Sequence, residues 1–195
     1  GCTANANETI LEPTAVSASL GVPTMVTCNG DANGSVSVTG SGGTVAGDYT
    51  YLWNNGQTTA TASNLAPGTY TVTIKDDNNC SSSAGPVSIT EPAVLTASMG
   101  VPTMVSCNGG SDGSVTVTAS GGTVAGDYTY LWSNGQTTAS ATGLVAGSYT
   151  VTITDDNSCQ ASAGPVTITE PTLVVATMGL PTMVTCNGDA DGSVT

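Results

Sequence analysis

Leu65-Ala66-Pro67-Gly68-Thr69-Tyr70-Thr71-Val72-Thr73-Ile74 decides the fold of this chain. From Thr69 onward every second residue is apolar, so Tyr70, Val72 and Ile74 share one face while the threonines share the other, the pattern of a half-buried strand. Pro67-Gly68 breaks what precedes it into a tight turn. A leucine that closes one strand, a two-residue turn and a tyrosine that opens the next strand form a corner between two sheets. The same corner recurs as Leu144-Val145-Ala146-Gly147-Ser148-Tyr149, 79 residues later.

That interval governs the whole chain. Cys28, Cys107 and Cys186 are spaced by 79 residues, as are Cys80 and Cys159, Trp53 and Trp132, and Pro13, Pro92 and Pro171. Two complete units run over 14–92 and 93–171. Residues 1–13 match the end of a preceding unit and 172–195 the start of a following one, so the sequence reads as a window on a longer array.

Within one unit, Ser35-Val36-Ser37-Val38-Thr39 alternates with period two, Tyr49-Thr50-Tyr51-Leu52-Trp53 carries the large aromatics, and Pro86-Val87-Ser88-Ile89-Thr90 precedes a closing Glu91-Pro92. Asn29-Gly30, Asn33-Gly34, Gly42-Gly43, Asn55-Gly56 and Asp77-Asn78-Asn79 supply turns between them. About seven short strands and a tyrosine corner predict an all-β fold, tandem immunoglobulin- or fibronectin-like Greek-key sandwiches in an extended rod. Trp53, Tyr70, Trp132 and Tyr149 are the expected core anchors.

Composition excludes several functions. Fourteen acidic residues against the single base Lys75 give a formal charge of -13, a field that repels nucleic-acid phosphates and anionic lipid. The longest apolar runs fall far short of the roughly 18 to 20 residues of a membrane span, so no membrane insertion is expected. Catalysis lacks its parts: there is no histidine, and Lys75 becomes Thr154 in the next unit. Adjacent carboxylates such as Asp76 and Asp77 point to opposite faces of a strand, so no acid–base pair assembles and no enzyme is expected. Two cysteines per small, loop-rich repeat read as cross-links of an exported protein.

Three pairings are open to those cysteines. Pairing within a repeat joins Cys28 to Cys80 and Cys107 to Cys159, leaving Cys2 and Cys186 to partners outside the window. Pairing across the junction joins Cys2 to Cys28, Cys80 to Cys107 and Cys159 to Cys186. The third joins the leading cysteine of one unit to the trailing cysteine of the next, as Cys28 to Cys159. The first is favoured because a duplicating unit with two cysteines is most simply self-contained. Against it stands geometry: in a seven-strand sandwich the two cysteine turns lie at opposite ends, beyond the ~7 Å reach of a disulfide between Cα atoms.

Two other residue sets invite ligands. Asp76, Asp77, Asp155 and Asp156 beside one turn, and Asp48 and Asp127 in a facing loop, are candidate Ca²⁺ ligands; the competing reading is solvated turn aspartates. Tyr51, Tyr130, Trp53 and Trp132 are a candidate stacking platform for surface polysaccharide, against core packing as the alternative.

The succession Val26-Thr27-Cys28-Asn29-Gly30, Gly42-Gly43-Thr44, Tyr49-Thr50-Tyr51-Leu52-Trp53, Gly68-Thr69-Tyr70-Thr71-Val72-Thr73-Ile74, Asp77-Asn78-Asn79-Cys80 and Ile89-Thr90-Glu91-Pro92 resembles the SprB repeat of very large Bacteroidota surface proteins. It departs from the usual pattern at Val45-Ala46-Gly47-Asp48, where the family commonly has a shorter turn. The resemblance implies an extracellular, cell-surface location and a non-catalytic segment of an exported adhesin, such as the gliding-motility adhesin carried by type IX secretion. A disulfide-stabilised stalk or filament whose partners are neighbouring repeats is the expected function. A polysaccharide-binding module and a self-assembling fibre using strand complementation are the alternatives.

Overall fold

The computed structural model describes Cys2 and residues 8–194. Of the expected preceding-repeat end, 1–13, residues 1 and 3–7 lie outside the described ones. The chain divides into two compact units. Unit 1 comprises Gly1–Thr96 with Ala119–Thr129 and Ile153–Ala161, and unit 2 comprises Ala97–Thr118, Tyr130–Thr152 and Ser162–Thr195.

The first repeat, within unit 1, has six strands: β1 (Ser17–Leu20), β2 (Gly34–Ser41), β3 (Thr50–Trp53), β4 (Thr61–Leu65), β5 (Gly68–Lys75) and β6 (Ser81–Ile89). They form two antiparallel sheets, β1-β2-β4 and β3-β5-β6. The chain passes from one sheet to the other after β2, β3 and β4, while β1 and β2, through a long loop, and β5 and β6, through a short turn, are consecutive antiparallel neighbours. That order is the A-B-E and C-F-G topology of an immunoglobulin-like sandwich.

A seventh strand is missing for a local reason. The link from β3 to β4 is one tight turn, in which Gly56 N–H donates to Trp53 O at 2.9 Å and Trp53 N–H donates to Gln57 O at 2.9 Å. Residues 54–60 have no length left for the strand that larger members of this topology place there.

Alternation puts one face of each sheet into a common core. Val36 and Val38 of β2 and Ala62 and Leu65 of β4 meet Trp53 of β3, Val72 and Ile74 of β5 and Ile89 of β6, all buried in a single cluster. Trp53 is 1% exposed, and its indole N–H donates to Thr59 O at 2.9 Å, so burial leaves no unsatisfied donor. Tyr70 is buried too, and its hydroxyl donates to Ala66 O at 2.8 Å, four residues back across the Pro67-Gly68 turn. Opposite the end of β2, a bulge in β4 places Asn64 at φ 53; its counterpart in the second repeat is Gly143 at φ 65, both residue types that tolerate the left-handed region.

The second repeat contributes β7 (Ala93–Met99), β8 (Gly113–Gly122), β9 (Thr129–Trp132), β10 (Ser140–Leu144), β11 (Gly147–Thr154) and β12 (Gln160–Ile168). Their sheet order, β10-β8-β7 and β12-β11-β9, repeats that of the first. In unit 2, Val105, Val115, Val117, Trp132, Leu144 and Tyr149 are buried. The Tyr149 hydroxyl donates to Val145 O at 3.1 Å and the Trp132 indole to Thr138 O at 2.8 Å. Among the described residues no helix is long and apolar enough to cross a membrane.

Candidate functional site

The chemistry of unit 1 concentrates where two loops meet. The first loop, between β1 and β2, carries the Cys28-Asn29-Gly30 turn, closed by Asp31 N–H donating to Cys28 O at 3.1 Å with Gly30 at φ 84. Glu91-Pro92, just past β6, holds it from below. Gly30 N–H donates to Glu91 Oε2 at 2.6 Å, Asn29 Nδ2 to Pro92 O at 2.9 Å, and Val26 N–H to Thr90 O at 3.1 Å. The residues that end one repeat therefore clamp the loop that opened it.

The second loop is the turn between β11 and β12. Asp155 is buried and accepts N–H groups from Thr123 (2.8 Å), Asn157 (3.0 Å) and Cys159 (2.8 Å). Asp156 accepts from Ala125 at 2.6 Å. A carboxylate wrapped by backbone donors organises this turn as an Asx-type cap, and it sets the direction of Cys159.

The two loops are joined covalently. Cys28 and Cys159 form a disulfide with Cα atoms 5.7 Å apart, 131 residues apart in sequence. Beside it, Asn157 Nδ2 donates to Thr27 O at 2.9 Å. A cleft of about 450 Å³ lies alongside, lined among others by Val26, Glu91, Pro92, Gly122 and Thr123. Val94 and Leu95 flank a smaller one against the sulfurs.

This pairing corrects the favoured reading. Cys28 is not bonded to Cys80, nor Cys107 to Cys159; Cys2, Cys80, Cys107 and Cys186 are free and exposed. The reason is the length of β6. The Cys28 loop is tied to Thr90 beyond one end of β6, whereas Cys80 lies at the other end, where Lys75 pairs with Ser81. Nine residues of strand separate the ends, about 27–30 Å at the rise of a β-strand, several times the span of a disulfide.

The Ca²⁺ reading is also redirected. Asp76 repeats the geometry of Asp155: it is buried and accepts from Thr44 (2.9 Å), Asn78 (3.0 Å) and Cys80 (2.7 Å). The Thr44 N–H holds its carboxyl below the usual range, against the opposing effect of burial and with help from the Cys80 and Asn78 N–H groups. Asp77 accepts from Ala46 N–H at 2.6 Å, while Asp48 and Asp127 are exposed. The oxygens that would have faced a cation face amides instead. Among the described residues, no three carboxylates, thiols or imidazoles are grouped to hold a metal.

Trp53 and Trp132 are buried and unavailable for stacking on a sugar, which leaves Tyr51 and Tyr130 half-buried on β3 and β9. Two residues went unrecognised in the sequence. Tyr49 and Tyr128 donate their hydroxyls to Gly42 O (2.6 Å) and Gly121 O (2.9 Å), tying the far end of β2 or β8 to the residue that precedes β3 or β9. Their signal was available: each tyrosine stands seven residues after the second strand's glycine pair begins, in both repeats.

Residues 20–58 and 100–137 match the SprB repeat. These two segments are similar to the SprB repeat. Each matched segment of the SprB repeat contains the leading cysteine and the core tryptophan, Cys28 with Trp53 and Cys107 with Trp132, and stops short of the trailing cysteines Cys80 and Cys159. No curated protein matches the chain. Among solved structures it is similar to the C-terminal 282-residue fragment of intimin, solved in complex with the translocated intimin receptor intimin-binding domain. The identity is 18% over 83% of this chain, with a TM-score of 0.40, and the chain spans 64% of that fragment's length.

The loop clamp is reproduced in unit 2. Gly110 N–H donates to Cys107 O at 2.9 Å, Gly109 N–H to Glu170 Oε2 at 2.7 Å, and Asn108 Nδ2 to Pro171 O at 3.1 Å. Asp112 takes the place of Asn33, accepting from Ser106 N–H at 3.0 Å; the Ser106 hydroxyl foremost holds its carboxyl below the ordinary value. Asp191 does the same with Thr185 in the opening loop of the third copy.

Proposed function

We propose that this chain is a non-catalytic, tension-bearing segment of an exported bacterial surface adhesin. Complete repeats over 14–92 and 93–171, and the opening of another over 172–195, support a function that lies in the length and strength of the array. One observation carries the reading. A disulfide joins the opening loop of one repeat to the last turn of the next, and both turns are braced by hydrogen bonds from their own repeats. Such a bond contributes nothing to a reactive site and much to resistance against extension. An oxidised cysteine pair also fits an extracellular location.

Labelling intact cells of the producing bacterium with antibody against residues 14–171 tests it. Surface staining that vanishes after external protease is the expected result. Signal only after the cells are broken open would defeat the proposal.

A fibre built by strand complementation is a second reading, favoured by Leu173, Val174, Val175 and Met178, which are 67–92% exposed along a segment that repeats the sequence positions of β7. Concentration-dependent assembly that is lost when Val174 and Met178 are changed to serine would support it, and a strictly monomeric chain would remove it.

A further inference from the structure

Cys107 and Cys80 occupy the two halves of the same joint that Cys28 and Cys159 complete. Cys107 sits in the Cys-Asn-Gly turn held by Glu170 and Pro171, as Cys28 sits in the turn held by Glu91 and Pro92. Cys80 N–H donates to Asp76 as Cys159 N–H donates to Asp155, and Asn78 stands where Asn157 stands.

The cleft beside the first turn confirms what belongs there. Around Cys28 it is lined by Asn29, Val94 and Leu95 and is closed by Cys159 and Gln160. Around Cys107 the corresponding cleft, about 370 Å³, is lined by Asn108, Leu173 and Val174 and is open. Val174 is 92% exposed, whereas Leu95, its equivalent, is partly buried.

We infer that the open cleft at Cys107 is a docking site for the Cys80-type turn of another such repeat, sealed by a disulfide, so that successive bonds overlap along the array. This rests on the tension-bearing reading and specifies how it is achieved. Cys107 lies inside the loop closed by Cys28 and Cys159, so a bond from Cys107 to the next trailing cysteine interlocks with the first. Only the 26 residues between a trailing cysteine and the next leading one, Cys159 to Cys186, then remain free to extend.

The redox step balances with glutathione disulfide as oxidant. A Cys80 thiol exchanges with it, releasing one glutathione and leaving a mixed disulfide. The Cys107 thiolate attacks the Cys80 sulfur of that mixed disulfide and expels the second glutathione, so two protein thiols are oxidised and one glutathione disulfide is reduced to two thiols.

A second copy of this chain serves as the partner. Two variants keep Cys28 and Cys159: one carries Cys2→Ser, Cys80→Ser and Cys186→Ser, the other Cys2→Ser, Cys107→Ser and Cys186→Ser. Each retains one free thiol, Cys107 or Cys80. Mixed in equal amounts in glutathione buffer and resolved without reductant, they are expected to give the Cys107–Cys80 heterodimer in a ratio to the homodimers roughly tenfold above the statistical one, the factor a modest specific dock provides. Asn78→Ala in the Cys80 partner is expected to lower that excess severalfold, because Asn157 makes the equivalent contact to Thr27 O. Homodimers and heterodimers in statistical proportion, no dimer at all, or an excess indifferent to Asn78 would each overturn the inference. Peptide mapping of Cys28–Cys159 in both variants confirms that they are folded. Surface labelling of cells reads the adhesin proposal separately, so either can fail alone.

Discussion

The sulfurs of Cys28 and Cys159 are bonded across 131 residues of sequence, which makes the bond a shortcut for force. Tension applied at the chain ends passes from residue 28 to residue 159 without loading what lies between. Stretched between its termini, the oxidised protein is expected to withhold the contour length of those 131 residues, about 450 Å at the reach of an extended chain, and to release it once reductant is added. Equal extension before and after reduction would refute the shortcut. Closing so long a loop also stabilises the folded chain by about 3–5 kcal/mol through the entropy of the unfolded state, so reduction should lower the melting temperature as well.

Tyr70→Phe removes one hydroxyl and nothing else. Its hydrogen bond to Ala66 O closes the corner between β4 and β5. The substitution is expected to cost about 0.5–1.5 kcal/mol in urea unfolding, with Tyr149→Phe similar. An unchanged midpoint for both would show the corner to be held by packing alone.

Asp76 makes stability depend on pH in a defined direction. Its folded carboxyl lies below the ordinary aspartate range because Thr44, Cys80 and Asn78 donate to the ionised form. The stabilisation is therefore fully present above about 3.9 and lost as pH falls through the lower folded value. Asp76→Asn should melt below wild type at pH 7, and the gap should close in acid. A gap of constant size from neutral to strongly acidic pH would contradict the assignment.

Gly42→Ala tests the turn after β2. Gly42 adopts φ 75, and a methyl group there would run into the Ala15 carbonyl; Gly121 is placed the same way against Val94. A loss of about 1–3 kcal/mol is expected from the backbone strain. A stability equal to wild type would mean that the segment before β1 moves aside freely.

Much of this was legible in the chain. Period-two alternation in residues 69–74 and 35–39 marks β5 and β2, because burying one face of a sheet requires it, and Leu65 to Tyr70 marks the corner. Less was legible in β6. The sequence points to a strand from Pro86, yet it begins at Ser81, since its polar half pairs with β5 through main-chain bonds that side chains do not announce. Asp76 and Asp155 read as metal candidates because a carboxylate in a turn has the same letters whether it faces a cation or three amides.

By itself the sequence determined the repeat, the alternating strands β2 and β5, the corner between β4 and β5 and the core anchors, all of which depend on neighbours a few positions away. Only the tertiary structure decided which cysteines join. That choice depends on which turns meet at an end of the sandwich, and β6 holds Cys28 and Cys80 a full strand apart while Cys159, far along the chain, arrives beside Thr27.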